Sequence, residues 1–404
     1  MKQKTRRPKL RYEELVATGP ATLAGKFMRR FWHPIFRAEE LLAGQAKPIE
    51  IMGERFTLYR GQNGTPHVTE FRCPHRGTQL SAGWVEGDSI RCMYHGWLFN
   101  GTGQCTEQPA EEKSFAAKIR IKSFPAREYL GLIFAYFGKG EAPPFPRFLH
   151  MEADGVLEVL STEVWPCNFF QRMDNNGDTY HVPFVHRGAY SASTENNRSG
   201  LPAISKIESP WGTTGYATFK EGWRNVFQFF MPNVYAFRNP SPEPECAWED
   251  RMQWDVPLDD DHSLEFRLRR LPLTGSGADQ YRSRREVLNR EPKISVAQMG
   301  EAVLSGKISF QDLDGFFSDK ISLVHAQDYV AQAGQGSRAQ RRREHLGLSD
   351  TGVILFRKIW ERELRALADR RPLKTWVLPQ AAEIKFQEPP EKLRKQGCRS
   401  ERPK

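Results

Sequence analysis

Two short stretches concentrate the metal-binding side chains of this 404-residue chain. Cys73-Pro74-His75-Arg76-Gly77 and Cys92-Met93-Tyr94-His95-Gly96-Trp97 each carry one cysteine and one histidine. Two thiolates and two neutral imidazoles suit a binuclear [2Fe–2S] centre. One iron takes both sulfurs and the other both imidazoles, which raises the reduction potential above that of an all-thiolate cluster. A Cys₂His₂ zinc site would use the same four groups, but its usual spacing collects the cysteines in one half and the histidines in the other. Here each half holds one of each, so each loop can reach both metals of a pair. Glycines at 77 and 96 allow the backbone close approach to a cluster, whose sulfurs accept N–H bonds.

A second constellation lies in Asp174-Asn-Asn-Gly-Asp178-Thr-Tyr-His181-Val-Pro183-Phe-Val-His186. On an unbroken helix, residues five apart sit about 140° from each other around the axis, too far to share an ion. Pro183 lies between the two histidines and predicts a kink or helix end that brings His186 round to His181. Asp178, three residues before His181, shares its helical face. From there its carboxylate can accept the second imidazole N–H and orient the ring. This segment alone is also compatible with two histidines packed in a core.

With the Cys/His loops added, Asn175-x-x-Asp178-x-x-His181-x₄-His186 resembles the mononuclear iron motif of the Rieske non-haem iron oxygenases. These are the large (alpha) subunits of aromatic-ring hydroxylases and O-demethylases. Gly77, Gly96 and Trp97 follow the loop histidines as in Rieske proteins, and Trp165-Pro-Cys-Asn-Phe-Phe170 corresponds to the family's lead into the iron helix. Leu15–Pro34 and His345-Leu-Gly-Leu-Ser-Asp350-Thr-Gly352 resemble the opening and closing segments of the phthalate-dioxygenase-like branch. The resemblance implies an α+β chain: a small all-β Rieske [2Fe–2S] domain, then an α+β helix-grip catalytic domain of antiparallel sheet plus helices. It implies one cluster held by Cys73, His75, Cys92 and His95, and one Fe(II) in a 2-His-1-carboxylate facial triad that leaves positions open for O₂ and substrate. The family's third iron ligand is an Asp on a C-terminal helix. The matching place is His325-Ala-Gln-Asp328-Tyr329, so His181, His186 and Asp328 are the expected ligands. His325, one turn earlier, is a competing donor, whereas Asp312, Asp314 and Asp350 read as solvated or capping residues.

The same resemblance implies catalytic roles for Asp178 and Asn175. The family residue matching Asp178 also bridges a cluster histidine to an iron histidine, commonly between neighbouring subunits, which implies a head-to-tail homotrimer. A separate NADH- or NADPH-dependent reductase, with or without a ferredoxin, is the implied electron source. A small aromatic substrate, carboxylated in much of this branch, is to be hydroxylated or O-demethylated. A carboxylate clamp would suit Arg172, Arg187, Arg224 or Arg238, because guanidinium pairs bidentately with carboxylate. Phe227, Phe229, Phe230 and Phe237, in the extended-looking stretch Asn225–Phe237, could line the apolar part. Two other classes remain: an electron carrier with an inert second domain, and a zinc-stabilised binding module.

The elements that must position these residues are partly legible. Pro48–Tyr59, Pro66–Phe71 and Gly131–Phe137 are β-branched or aromatic runs closed by Gly, Asn or Pro and read as strands. His67, in one of them, reads as an ordinary surface residue. Thr22 can cap a helix running to Phe31 and ended by Pro34. The expected division is an N-terminal helical segment over 1–40, the Rieske domain over 41–150, the iron domain over 151–385 and a basic tail over 386–404. The stretch 187–310 resembles the family least. It is where substrate contacts belong.

Composition adds bounds. The formal charge of +10 raises nucleic acid as a partner, but much of the excess lies in Lys2–Lys9, Arg338–Arg343 and Lys392–Arg399, which read as solvated tails or faces. No nucleic-acid partner is expected. An acidic reductase or an anionic substrate is a better use of the charge. No apolar run reaches the roughly 18 residues needed to span a bilayer, and the basic start lacks the apolar stretch of a signal peptide, so no membrane association is expected. Cys105, Cys167, Cys246 and Cys398 show no disulfide framework, and a reducing cytoplasm is expected.

Overall fold

The computed structural model describes residues 10–187, 201–219, 224–288, 294–317 and 319–378. The first half is built of short antiparallel strands: β1 (Trp32–Arg37), β2 (Ala46–Ile51), β3 (Glu54–Arg60), β4 (Pro66–Glu70), β5 (Trp84–Glu86), β6 (Ser89–Arg91), β7 (Leu98–Asn100), β8 (Cys105–Glu107), β9 (Ser123–Phe124), β10 (Ala126–Tyr129) and β11 (Leu132–Tyr136). They form three sheets, ordered β1-β11-β10, β2-β3-β4-β9 and β5-β6-β7-β8. The run expected as one strand over 48–59 is a hairpin. Met52 and Gly53 turn it with φ of 54° and 74°, the positive pair that a two-residue type I′ loop requires.

The N-terminal segment departs from expectation in two places. Thr22 does cap a helix, its Oγ1 accepting the Gly25 N–H at 3.1 Å, but that helix is Leu23–Met28 and stops three residues short of Phe31. Residues 32–37, expected within the helical segment, instead form β1 on the edge of the first sheet. There Pro34 sits beside a bulge rather than acting as a helix stop. An edge strand with a bulge tolerates the missing N–H. His67 is not a surface residue. It is half-buried, stacked on Tyr59 at 4.9 Å and roofed by Gly101, where a Cβ would lie 2.5 Å from the imidazole.

The second half is one seven-stranded antiparallel sheet: β12 (Val156–Trp165), β13 (Ala203–Ser209), β14 (Gly212–Thr218), β15 (Arg224–Phe230), β16 (Val234–Pro240), β17 (Trp248–Pro257) and β18 (Ser263–Leu271), in the order β12-β18-β17-β16-β15-β14-β13. Alternation divides its side chains between two faces. Phe230, Val234, Ala236, Met252, Trp254, Phe266 and Leu268 form an apolar face that shares one core with the first half. Trp254 meets Phe134 of β11 and Phe148 edge-on at 5.6 and 5.5 Å. Each such ring buries area at roughly 25 cal/mol per Å², so the two halves are welded rather than hinged. The opposite face is polar and aromatic, and helices Phe169–Gly177, Lys320–Ala333 and Thr351–Ala368 lie on the side of the sheet that carries it. This is the antiparallel sheet with helices that the resemblance implied.

Candidate metal centres

The two Cys/His loops are near copies of each other. In the first, the Cys73 N–H donates to the Thr78 carbonyl at 2.8 Å and the Gly77 N–H returns to the Cys73 carbonyl at 2.9 Å. In the second, Cys92 donates to Trp97 at 2.9 Å and Gly96 to Cys92 at 3.0 Å. Gly77 and Gly96 sit at φ 79° and 71°, so both are glycine because the loop needs the left-handed region. The arginine before each cysteine ties its loop shut: Arg72 Nη1 donates to the Gly77 carbonyl at 2.7 Å and Arg91 Nη1 to the Gly96 carbonyl at 2.8 Å.

The donors these loops present fit a metal cluster. Cys73 and Cys92 are buried side by side, and the His75 and His95 rings lie 4.4 Å apart. His95 Nδ1 is buried with no hydrogen-bond partner, as a nitrogen held for a metal would be. Burial pushes the Cys73 thiol up to about 12, so a thiolate there needs a metal cation to form. Trp97 stacks on His75 at 4.6 Å and 5°, fixing the ring plane.

The second centre forms where the chain turns twice. Helix Phe169–Gly177 starts on an Asn168 capping box and ends at Asp178, which is extended. A new short helix, Val182–Val185, then begins with Pro183 in its first turn, flanked by His181 and His186. Pro183 therefore opens a second helix rather than kinking the first, and Asp178 and His181 do not share a helical face. The consequence shows in the hydrogen bonds. His181 Nδ1 donates to the main-chain carbonyl of Asp178 at 2.6 Å, while the Asp178 carboxylate stands off at 3.9 Å and accepts the Tyr180 N–H instead. Burial raises the Asp178 pKa, opposed by His181 and reinforced by Asp350.

Asp328 arrives from helix Lys320–Ala333. Its Oδ1 lies 3.3 Å from His186 Nε2 and 3.7 Å from His181 Nε2, and donor atoms of the three residues all fall within 4.8 Å of one another. His186 Nδ1 is bound by the Gln327 side-chain oxygen at 3.0 Å, and Gln327 is in turn 3.4 Å from Asp314. With both Nδ1 atoms committed to acceptors, both Nε2 atoms face Asp328, the tautomer that a shared cation needs. Burial opposes ionisation of Asp328, but His186 and His181 hold its carboxyl well below the usual range. Asn175 Nδ2 approaches the same Asp328 Oδ1 at 3.4 Å.

Other expected residues fall elsewhere. His325 is not a rival ligand: its Nε2 is engaged by Glu265 at 2.6 Å, below the Trp165 ring. Arg172, a clamp candidate, is 1% exposed and spans Asp255, Glu265 and Gln332 while lying 3.7 Å over Trp165. It ties the iron-side helices to β17 and β18. Arg238 is paired bidentately with Asp250, Arg224 is exposed over Tyr216, and exposed Arg187 bonds the Phe184 carbonyl. Asp314 is not merely solvated, since it supports Gln327, whereas Asp312 and Asp350 cap Ser309 and Gly347. Arg338 and Arg341, expected on a solvated face, pair with Asp260 and Asp174. The basic runs at 2–9 and 392–399, the tail over 386–404 and Cys398 lie outside the described residues.

The aromatic wall is present in altered membership. Phe227 and Phe237 are half-buried on the helix-facing side with Tyr235, which stacks with Phe227 at 6.3 Å and meets Phe237 at 5.1 Å. Phe229 is buried against Phe356 on that side, but Phe230 points through the sheet to Phe148. Tyr235, Gln327 and Arg267, whose charge reaches both His186 and Asp328, went unnoticed in the sequence. Only strand register and one helical step expose them, and neither leaves a motif.

A Rieske [2Fe-2S] domain matches residues 31–125. Over 88% of its length the chain is 28% identical to 80% of the 5,5'-dehydrodivanillate O-demethylase oxygenase subunit of Sphingobium sp. (strain NBRC 103272 / SYK-6). Over 86% it is 29% identical to 75% of the tert-butanol monooxygenase / tert-amyl alcohol desaturase oxygenase subunit of Aquincola tertiaricarbonis. The terminal oxygenase of carbazole 1,9a-dioxygenase from Novosphingobium sp. KA1 shares the fold, with a TM-score of 0.60 and 20% identity over 87% of this chain and 94% of that one. A redox-cluster domain, a two-histidine, one-carboxylate set and likeness over most of its length to oxygenase subunits converge: the chain carries a Rieske [2Fe–2S] domain and resembles the oxygenase subunits of Rieske non-haem iron enzymes, with a [2Fe–2S] cluster and a mononuclear iron as its cofactors.

Proposed function

We propose that Cys73, His75, Cys92 and His95 hold the cluster, that His181, His186 and Asp328 hold the iron, and that the chain oxidises a small aromatic acid by hydroxylation or O-demethylation. Electrons come from NADH or NADPH through a separate reductase, directly or by way of a ferredoxin. The observation that carries this reading is the paired orientation of His181 and His186, each Nδ1 held by an acceptor so that both Nε2 atoms meet Asp328. When bound, the cluster carries single electrons and the iron activates O₂. The chain's own residues do the rest. The Asp178 carbonyl and Gln327 fix the imidazoles, Asn175 steadies Asp328, and Phe227, Tyr235 and Phe237 offer an aromatic wall on the same side of the sheet. That wall favours a ring over an aliphatic alcohol, although the relatives' names include both kinds of substrate.

A head-to-tail homotrimer belongs to the same proposal. Its support is that exposed aromatic rings flank the half-buried cluster histidines, Tyr94 4.0 Å from His95 and Phe115 against the Trp97 that stacks on His75, while the Asp178 carboxylate makes no direct bond to His181 and is 27% exposed. A neighbouring copy could cover the first and receive the second. A cytoplasmic location fits the buried, unpaired thiols of Cys105, Cys167 and Cys246; none of the described helices is long and apolar enough to cross a membrane.

Metal analysis with EPR is the direct test. About three irons per chain are expected; two irons with a Rieske signal would reduce the chain to an electron carrier, and zinc without colour would remove the redox reading. Asp178→Asn should keep both metals and the sedimentation coefficient of a trimer, yet slow reoxidation of the reduced cluster by at least tenfold. Unchanged reoxidation would remove Asp178 from the electron path.

A further inference from the structure

Helix Gly275–Leu288 rests on the edge strand β12, and its periodicity decides which side chains face that strand. Ala278 and Tyr281 are buried, and the Tyr281 hydroxyl donates to Glu158 Oε2 at 2.6 Å, pinning the helix to β12. One turn further along the same face comes Arg285. From the other half of the chain the tip of the β10–β11 hairpin, Leu130-Gly131, reaches the same strand, turned with φ of 52° and 76°. A leucine in the left-handed region is strained, and what the turn secures is contact: a Cβ on Gly131 would lie 3.3 Å from Val159 Cγ2. The strand itself is bulged between Val159 and Ser161, which bends its edge. Hairpin tip, bent strand and helix enclose a cleft of about 630 Å³, within the range of small-molecule sites. None of its lining residues is a candidate ligand of either metal centre.

Most charges around this cleft are already matched. Arg60 bonds Glu128 at 2.7 Å and the Ala38, Leu41 and Gly64 carbonyls. Glu158 is held by Arg269 at 2.8 Å as well as by Tyr281. Arg37 pairs with Glu39 at 2.5 Å, but that carboxylate is 69% exposed, and Arg37 Nε is buried without a hydrogen-bond partner. A pair with so exposed a member contributes little. Arg285 makes no hydrogen bond or ion pair among the described residues, and its Nε too is buried and unbonded. This half-buried guanidinium lines the cleft as a cation lacking an anion, which an incoming carboxylate would relieve. One uncompensated charge selects a monoanion, because Glu39, Glu128 and Glu158 in the same wall repel a second negative charge. Leu130, Leu157, Val159 and Leu160 add an apolar wall suited to a hydrocarbon body. The competing role for Arg285 is support of its helix, since it stands in the last turn, where a cation is favoured.

We propose that this cleft binds an amphipathic monocarboxylate, its carboxylate on Arg285 with Arg37 as second cation, and its apolar body along Leu130, Leu157 and Leu160. The test is calorimetric titration of the full chain, loaded with cluster and iron, with octanoate and its neutral analogue octanamide. Wild type should prefer the acid about tenfold or more, the scale of one charged hydrogen bond. Arg285→Met should remove that preference while changing the amide less than twofold, and Arg285→Lys should restore part of it. Leu157→Glu places a carboxylate in the cleft from a strand position 36% exposed. It should abolish acid binding without touching the helix. Octanoate that binds both Arg285→Met and Leu157→Glu as it binds wild type overturns the proposal and puts the acid elsewhere, the iron pocket included. A wild type that binds neither probe overturns it too. Inorganic phosphate displacing octanoate at comparable affinity would refute the monocarboxylate assignment. A lowered thermal midpoint in Arg285→Met with the acid preference intact would assign the arginine to helix support alone.

Discussion

Replacing Gln327 by Leu isolates the device that aims His186. Gln327 is 2% exposed, and its side-chain oxygen takes the His186 Nδ1–H at 3.0 Å. Leucine fills similar space but offers no acceptor, so the imidazole either keeps a buried, unsatisfied N–H or adopts the tautomer that puts the proton on Nε2. Leaving such a donor unpaired costs about 1–3 kcal/mol. The cost falls on the metal-competent form alone, so it appears as iron affinity lowered by roughly 10- to 100-fold, the usual range for residues that orient a metal-bound histidine. The assay is Fe(II) titration of apo-protein against a coloured chelator, with the cluster EPR signal as an internal control because the Rieske loops lie in another sheet. Gln327→Glu retains an acceptor and should recover most of the affinity. Iron binding by Gln327→Leu within twofold of wild type would show that His186 is aimed by packing alone, and the argument from hydrogen bonding would fail.

Two further outcomes follow from buried charge. Arg172→Met removes the cation between Asp255 and Glu265, both at most 1% exposed, and should cost about 3–5 kcal/mol, the penalty for breaking one side of a buried ion pair; a loss below 1 kcal/mol in urea unfolding would contradict its role as the tie between helix and sheet. His33 is fully buried with its pKa lowered from 6.5 to about 4, chiefly by desolvation. The unfolded chain therefore binds the extra proton between pH 6.5 and 4, and native stability falls as pH falls through that window. The loss reaches about 2 kcal/mol by pH 5 and about 3 by pH 4, and urea unfolding of His33→Asn should show a pH dependence shallower by about that much.

Several features of this protein were legible one residue at a time. Both Cys/His loops close within five or six residues, so their donors and their glycines are local facts. His181 and His186 are likewise five apart, close enough for the pair to be noticed even though the reason they meet was misjudged. The misreading is instructive: proline in a first helical turn and proline in a helix interior look alike in sequence, and only the break at Asp178 distinguishes them. Arginines also mislead. A guanidinium is equally suited to a substrate carboxylate and to a buried Asp or Glu, and Arg172 found its partners on strands more than eighty residues away.

What the chain determines alone is the chemistry: which metals it can hold, because ligand type and short-range spacing are written in adjacent residues. What only the tertiary structure decided is how that chemistry is aimed. Asp328 is 142 positions from His186, and Gln327 becomes its partner's acceptor only when helix Lys320–Ala333 packs beside the turn that carries it. Lys206, Gly215 and Phe227 are neighbours solely through strand register, since side chains alternate between faces and a shift of one residue would send each to the opposite side. That row exists only once the sheet has formed.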